Sequence, residues 1–155
     1  MAKIGLNSIL GRKKGNKEFT ERRRKPRQPH LPLSILIVDD STTVIYAIKK
    51  VLEQDGYEVL VASDGEEAII VAETFQPDLI LMDVVMPGMD GFQATRHIRK
   101  MPYVQDTPII IISDSEQETE EFWLRKLGAN DFLAKPVLRG QLFPTIEKHL
   151  YSQVA

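Results

Sequence analysis

The run Leu79-Ile80-Leu81-Met82-Asp83, continued by Val84-Val85-Met86-Pro87-Gly88-Met89-Asp90-Gly91, constrains the fold more than any other stretch. Its apolar residues do not alternate with polar ones. A strand built from them must be buried on both faces, which is the position of a central strand in a parallel sheet. The run ends on a carboxylate, Asp83, and the Pro-Gly and Asp-Gly pairs after it supply turn chemistry that leads from a strand into a helix. In open α/β sheets the ligand crevice lies beyond the C-terminal ends of the strands. Asp83 falls at that end, although an arbitrary aspartate there is more often a cap or turn residue than a reacting group.

The flanking sequence repeats the same alternation. Ile35-Leu36-Ile37-Val38 reads as a strand ending in Asp39-Asp40, and Ser41 can cap a helix whose stripe is Val44, Ile45, Ile48, Val51 and Leu52, broken at Asp55-Gly56. Residues 57–61 form a second strand. Ser63-Asp64-Gly65 then opens a helix with a stripe of Ala68, Val71, Ala72 and Phe75, closed by Pro77. The spacing predicts a helix over 92–100, a strand over 108–112 that ends in Ser113, and a helix over 116–127 with an acidic first turn, stopped by Gly128. A fifth strand covers 131–134, followed by Lys135-Pro136. In the last helix, carrying Leu142, Phe143, Ile146 and Leu150, Pro144 is tolerable only in the first turn. Five short apolar strands alternating with five helices predict a doubly wound, parallel (βα)5 sheet of flavodoxin-like order 2-1-3-4-5.

Composition separates this unit from what precedes it. Residues 1–30 hold ten Lys/Arg against Glu18 and Glu21, whereas the remainder holds the other ten against twenty acidic residues. The net charge of −2 hides a basic leader and an acidic body. Residues 1–32 end in a basic block with three spaced prolines and read as a disordered extension, residues 33–151 as the folded domain and 152–155 as a C-terminal tail. The leader's charge suits anionic lipid or an acidic partner; with Phe19 its sole aromatic, nucleic acid is a poor match. The chain has no cysteine, which excludes disulfides and thiol chemistry, and His30, His97 and His149 show no metal-ligand spacing. No apolar run approaches the ~18 residues of a membrane span, and the N-terminus lacks the core of a signal peptide.

Four strand ends carry groups able to meet a phosphate: Asp39 and Asp40, Asp83, Ser113 and Lys135. Three converging carboxylates repel one another unless a cation intervenes, and hard oxygen ligands without His or Cys select Mg²⁺. A metal-neutralised carboxylate can attack phosphorus, and an ammonium and a hydroxyl are the donors a phosphoryl group needs.

The segments Ile35–Asp40, Asp83–Gly91 and Ala134-Lys135-Pro136 together resemble the receiver domain of two-component response regulators, CheY-like, over roughly residues 33–151. The resemblance implies that Asp83 is the phosphoacceptor and that Asp39, Asp40, Asp83 and the backbone carbonyl of Val85 hold Mg²⁺. It also implies a switch hydroxyl at Ser113, a phosphate-binding Lys135 with a cis bond to Pro136, and a switch aromatic at Phe132. Gly91–Arg96, the run 113–119, Trp123 and Gly128-Ala129 are similar to single-domain regulators of the PilH type, which act in type IV pilus twitching motility. That likeness implies a cytoplasmic bacterial phosphoprotein, phosphorylated by a CheA-like histidine kinase, that assists its own phosphotransfer and dephosphorylation without being an enzyme. No output domain is expected. A downstream pilus or motility protein would read the face made by the 116–127 helix, the fifth strand and the last helix, with Trp123 either core or contact.

Three other functions are weaker. An aspartate-nucleophile phosphatase needs an acid two residues after its nucleophile, where Val85 stands. A flavodoxin needs a Ser/Thr/Gly-rich phosphate loop, and Asp39-Asp40 would repel the nucleotide. A phosphate-independent interaction module localised by the basic leader has no use for the set Asp39, Asp40, Asp83, Ser113 and Lys135.

Overall fold

A computed structural model describes residues 32–114 and 128–151, together with Lys126. Five strands, β1 (Ser34–Val38), β2 (Glu58–Ala62), β3 (Leu79–Asp83), β4 (Ile109–Ser113) and β5 (Asp131–Ala134), form one parallel sheet of order β2-β1-β3-β4-β5. Four helices occur among the described residues: α1 (Thr42–Gln54), α2 (Gly65–Phe75), α3 (Gly91–Ile98) and α4 (Arg139–Tyr151). The helix expected over 116–127, with Phe122, Trp123 and Leu124, lies outside them apart from Lys126.

The unbroken apolar runs are explained by two cores, one on each face of the sheet. Leu36, Val38, Ile80, Met82, Ile109 and Ile111 pack with Ala68, Ala72, Ala94 and Ile98 of α2 and α3. The alternate residues Ile35, Ile37, Leu79, Leu81, Ile110 and Ile112 pack with Ile48 and Leu52 of α1 and Leu142, Ile146 and Leu150 of α4. Every residue of β3 is buried, as expected for a strand with helices on both sides. The alanines of α2 and α3 let those helices approach the sheet closely.

Capping sets the helix starts. The Ser41 hydroxyl accepts from the Val44 N–H, and the Asp64 carboxylate from the Glu67 N–H. Asp90 and Gln93 form a reciprocal capping box at the head of α3.

Two expectations need correction. Pro144 sits inside α4, well past its first turn. The helix tolerates it because Pro144 and Gly140 both face solvent, so the carbonyl deprived of its i+4 donor can be hydrated. Phe75 does not join the α2 stripe; it is 60% exposed. It is the last residue of the helix, which ends where Gln76 takes a left-handed conformation (φ 48°). The buried line runs instead through Gly65, Ala68 and Ala72.

Candidate functional site

The parallel topology brings the C-terminal ends of β1, β3, β4 and β5 to one edge. Asp39 follows β1 directly and Asp83 closes β3. Each continues the alternation of the strand before it, after Ile37 and Leu81, and the two central strands are neighbours. Both are nearly inaccessible, at 3% and 5% exposure, whereas Asp40 is exposed. The Lys135 Nζ lies 3.2 Å from an Asp39 oxygen and 3.1 Å from an Asp83 oxygen. The Lys135 backbone N–H donates to the Ser113 carbonyl, which fixes that lysine against the end of β4, and the Lys135–Pro136 bond is cis.

Burial is the main reason the Asp83 carboxyl lies above its ordinary range; neighbouring Asp39 adds to the rise, and Lys135 and the Val84 N–H work against it. For Lys135 burial opposes the charge, but the hydrogen bond and attraction to Asp83, with those of Asp39, outweigh it and raise the ammonium's pKa. The other Asp39 oxygen accepts the Ser41 N–H, which holds that carboxylate in place.

Carboxylate oxygens of Asp39, Asp40 and Asp83 lie within 4.8 Å of one another. Three hard anionic donors facing one ammonium leave an excess of negative charge. That set fits a hard divalent cation such as Mg²⁺, and nothing in it suits a soft metal. Val85, expected to lend its backbone carbonyl, lies two residues beyond Asp83 in the loop at this edge, with its side chain 72% exposed.

That loop is anchored at both ends. The Gly91 N–H donates to the Val84 carbonyl and the Gly65 N–H to the Met89 carbonyl. A Cβ on Gly91 would strike the carbonyl oxygen of Asp83, and one on Gly65 would lie 2.6 Å from the Met89 oxygen. Gly88, at φ 74°, occupies the left-handed region that a side chain disfavours.

Ser113 is buried at 2% exposure. Phe132 pairs in register with Ile111 and packs, half-buried, against the α2–α3 core. Because strand side chains alternate, Phe132 lies on the face that Ile111 and Ser113 share.

Two groups escaped the sequence reading. Asp131, one residue before Phe132, accepts from the Phe132 N–H and contacts His149 Nε2 at 2.7 Å and Lys148 Nζ at 3.7 Å. Arg99 donates to the carbonyls of Gly128, Gln105 and Thr107 and to the Asn130 amide oxygen, which also accepts from the Ile109 N–H. It clasps the loops that precede β4 and β5.

Residues 35–147 match the family described as the response regulator receiver domain. The chain is 45% identical over 112 residues to protein PilH of Pseudomonas aeruginosa, covering 72% of this chain and 93% of that protein. A crystal structure of the chemotaxis protein CheY4 of Vibrio cholerae superposes with a TM-score of 0.73 at 31% identity, covering 77% of this chain and all of the other. The receiver domain of the sensor histidine kinase PA1611 of Pseudomonas aeruginosa, with a magnesium ion coordinated in its active site cleft, superposes at 0.71 with 32% identity, over 77% and 98% of the two chains. The chain belongs to the response regulator receiver domain family.

Proposed function

We propose that the protein accepts a phosphoryl group on Asp83 from a phosphohistidine of a CheA-like histidine kinase. The observation that carries this reading is the Lys135 ammonium bridging two buried carboxylates, Asp39 and Asp83, at the open end of the sheet. An Asp83 oxygen attacks phosphorus; the O–P bond forms as the N–P bond breaks, and the imidazole leaves and takes up a proton from water. When bound, Mg²⁺ would offset the charge of Asp39, Asp40 and Asp83 and of the phosphoryl oxygens, with the Val85 carbonyl as a further ligand; magnesium in the similar PA1611 receiver supports that donor set. Lys135 can redirect a hydrogen bond from its carboxylate partners to a phosphoryl oxygen. The Ser113 hydroxyl donates a second, and hydrolysis of the acyl phosphate by water resets the site.

Ser113 and Phe132 share one face of the sheet. Movement of the Ser113 hydroxyl toward the phosphoryl group frees space into which Phe132 turns, remodelling the surface of β5 and α4 that a partner reads. Residues 33–151 serve as the receiver and 1–32 as a basic extension. The resemblance to PilH-type regulators supports a cytoplasmic role in twitching motility with a pilus or motility protein as target.

The test is intact mass after incubation with acetyl phosphate, with and without Mg²⁺, beside Asp83→Ala. Gain of one phosphoryl group that needs Mg²⁺ and is lost in the variant is the expected result. No gain where a working receiver reacts would withdraw Asp83 and favour a phosphate-independent interaction module.

A further inference from the structure

The phosphoryl site makes no use of the outer surfaces of α2 and α3, and these carry charge of opposite sign. On α2 the stripe opposite the buried line of Gly65, Ala68 and Ala72 is Glu66, Ile70, Glu73 and Thr74, all exposed. It holds two carboxylates and no base; Glu67 beside it is occupied by the Ser63 N–H and hydroxyl. On α3 and the turn after it the outer stripe is Gln93, Arg96, His97 and Lys100, again all exposed, and it holds no acid. Spacings of three and four residues put each set on one face. Neighbouring stripes of opposite charge could pair within one chain. Among the described residues, however, no ion pair joins Arg96, His97 or Lys100 to a carboxylate.

Shape follows charge. Ile70 stands 62% exposed in the middle of the acidic stripe. The basic stripe walls a cleft of about 420 Å³, to whose lining of Gln93, Arg96, His97 and Lys100 the thioether of Met101 is added. An apolar side chain and an apolar-floored cleft suit each other, but both face outward and cannot meet in one molecule.

The register of the helices decides how two molecules can meet. Both helices return from the site edge, so they run parallel, and the bond from the Gly65 N–H to the Met89 carbonyl sets their first turns side by side. At 1.5 Å per residue, Ile70 and Arg96 each lie about 7.5 Å from the start of their helix, Glu73 about 12 Å and Lys100 about 13 Å. A two-fold axis running along the groove between α2 and α3 lays each α2 over the other copy's α3 and preserves height along the helices. Ile70 then reaches the cleft beside the partner's Arg96, and Glu73 reaches the partner's Lys100, each contact occurring twice.

We propose that the α2–α3 face pairs two copies of this chain in an isologous dimer, with Glu73 of each against Lys100 of the other and Ile70 of each in the other's cleft. Two short helices side by side offer a footprint of roughly 300 Å², well under the ~800 Å² per partner of a standard interface. The dimer is therefore transient, with a dissociation constant on the order of 100 µM. The Asp39–Asp83–Lys135 edge and the surface of β5 and α4 lie outside this face, so the inference does not depend on phosphoryl transfer.

The experiment is sedimentation equilibrium on the full chain from about 10 µM to about 1 mM, at low and high salt. A monomer–dimer equilibrium weakened by salt is expected. Glu73→Lys and Lys100→Glu should each weaken it about tenfold or more, since each sets like charges opposite one another at both symmetric contacts. An equimolar mixture of the two variants should dimerise about as well as the parent. In the mixed pair the two introduced charges face each other, and the native contact survives across the axis. Both positions are exposed, and unchanged thermal unfolding curves check that the variants fold. A monomer throughout the range, a dimer indifferent to either substitution, or a mixture no tighter than the single variants would overturn the proposal. Masses rising beyond the dimer would overturn it too, because an isologous contact closes on itself.

Discussion

Asp83 is a side chain the fold holds at a cost. Its carboxyl is raised above the ordinary range because burial, and then Asp39, disfavour the anion more than Lys135 favours it. A raised folded-state pKa means that the native state prefers the protonated acid, so at neutral pH the ionised group lowers stability, and the deficit closes as pH falls through the folded pKa. Without divalent cations, Asp83→Asn should therefore raise stability by about 0.5–2 kcal/mol, an increment that shrinks on acidification. Mg²⁺ should raise the unfolding temperature of the native protein and leave that of the variant nearly unchanged. Thermal unfolding with EDTA and with Mg²⁺ measures both, and a variant less stable than the parent in EDTA would refute the sign. Asp131 shows the opposite case. Burial pushes its carboxyl up, but the His149 contact, the Phe132 N–H and Lys148 together carry it below the usual range. A depressed pKa contributes stability that is present above the unfolded value and is lost as pH falls through the folded one. Asp131→Asn should cost about 1–3 kcal/mol near neutrality, with the difference vanishing toward pH 2–3. Chemical denaturation across pH tests this, and a gap that persists in acid would show the loss is not electrostatic.

The elements carry these side chains, and the loop from β3 to α3 carries Asp83 most directly. Gly91 lies against the Asp83 carbonyl, where a Cβ finds no space. Gly91→Ala should displace the end of β3, destabilise the fold by about 1–3 kcal/mol, and slow phosphoryl uptake from acetyl phosphate beyond what the stability loss explains. Comparing the initial rate with the folded fraction separates the two, and a normal rate would show that the loop does not position the acid. At this scale the sequence spoke clearly wherever burial was two-sided. β1, β3 and β4 announced themselves as continuous apolar runs, because helices cover both faces and no position needs to be polar. Asp39 and Asp83 were legible for the same reason, each being the first charge after such a run, whereas Lys135 follows the only partly buried β5 and was marked by its pairing with Pro136. Phe75 and Pro144 were misread because helical spacing does not reveal where a helix leaves the sheet or which of its sides meets water. The links Asp131–His149 and Arg99–Asn130 join residues 18 and 31 positions apart on separate elements, and no local pattern encodes such pairs.

At the scale of the whole molecule, the described residues join the sheet from Leu33 and Ser34 onward. Among the described residues, the ties nearest the N-terminus are the Leu33 carbonyl to the Glu58 N–H and the Ser34 N–H to the Asp78 carboxylate. Among the described residues, Leu33 is the most N-terminal one packed against a core. A chain beginning at Pro32 therefore keeps the ties from Leu33 and Ser34 onward, along with Asp39, Asp40, Asp83, Ser113 and Lys135 at the strand ends. What it loses is ten positive charges and two negative ones, leaving the acidic body alone. If residues 1–32 act as an extension outside the fold, removing residues 1–31 should change the unfolding free energy by less than about 0.5 kcal/mol. Phosphoryl uptake from acetyl phosphate should stay within about twofold of the full chain, while elution from an anion exchanger should move to markedly higher salt. Parallel calorimetry and mass measurements on the two chains decide the point. A drop of several degrees in unfolding temperature would mean that the leader folds against the body, and the boundary drawn at residue 32 would have to move toward the N-terminus.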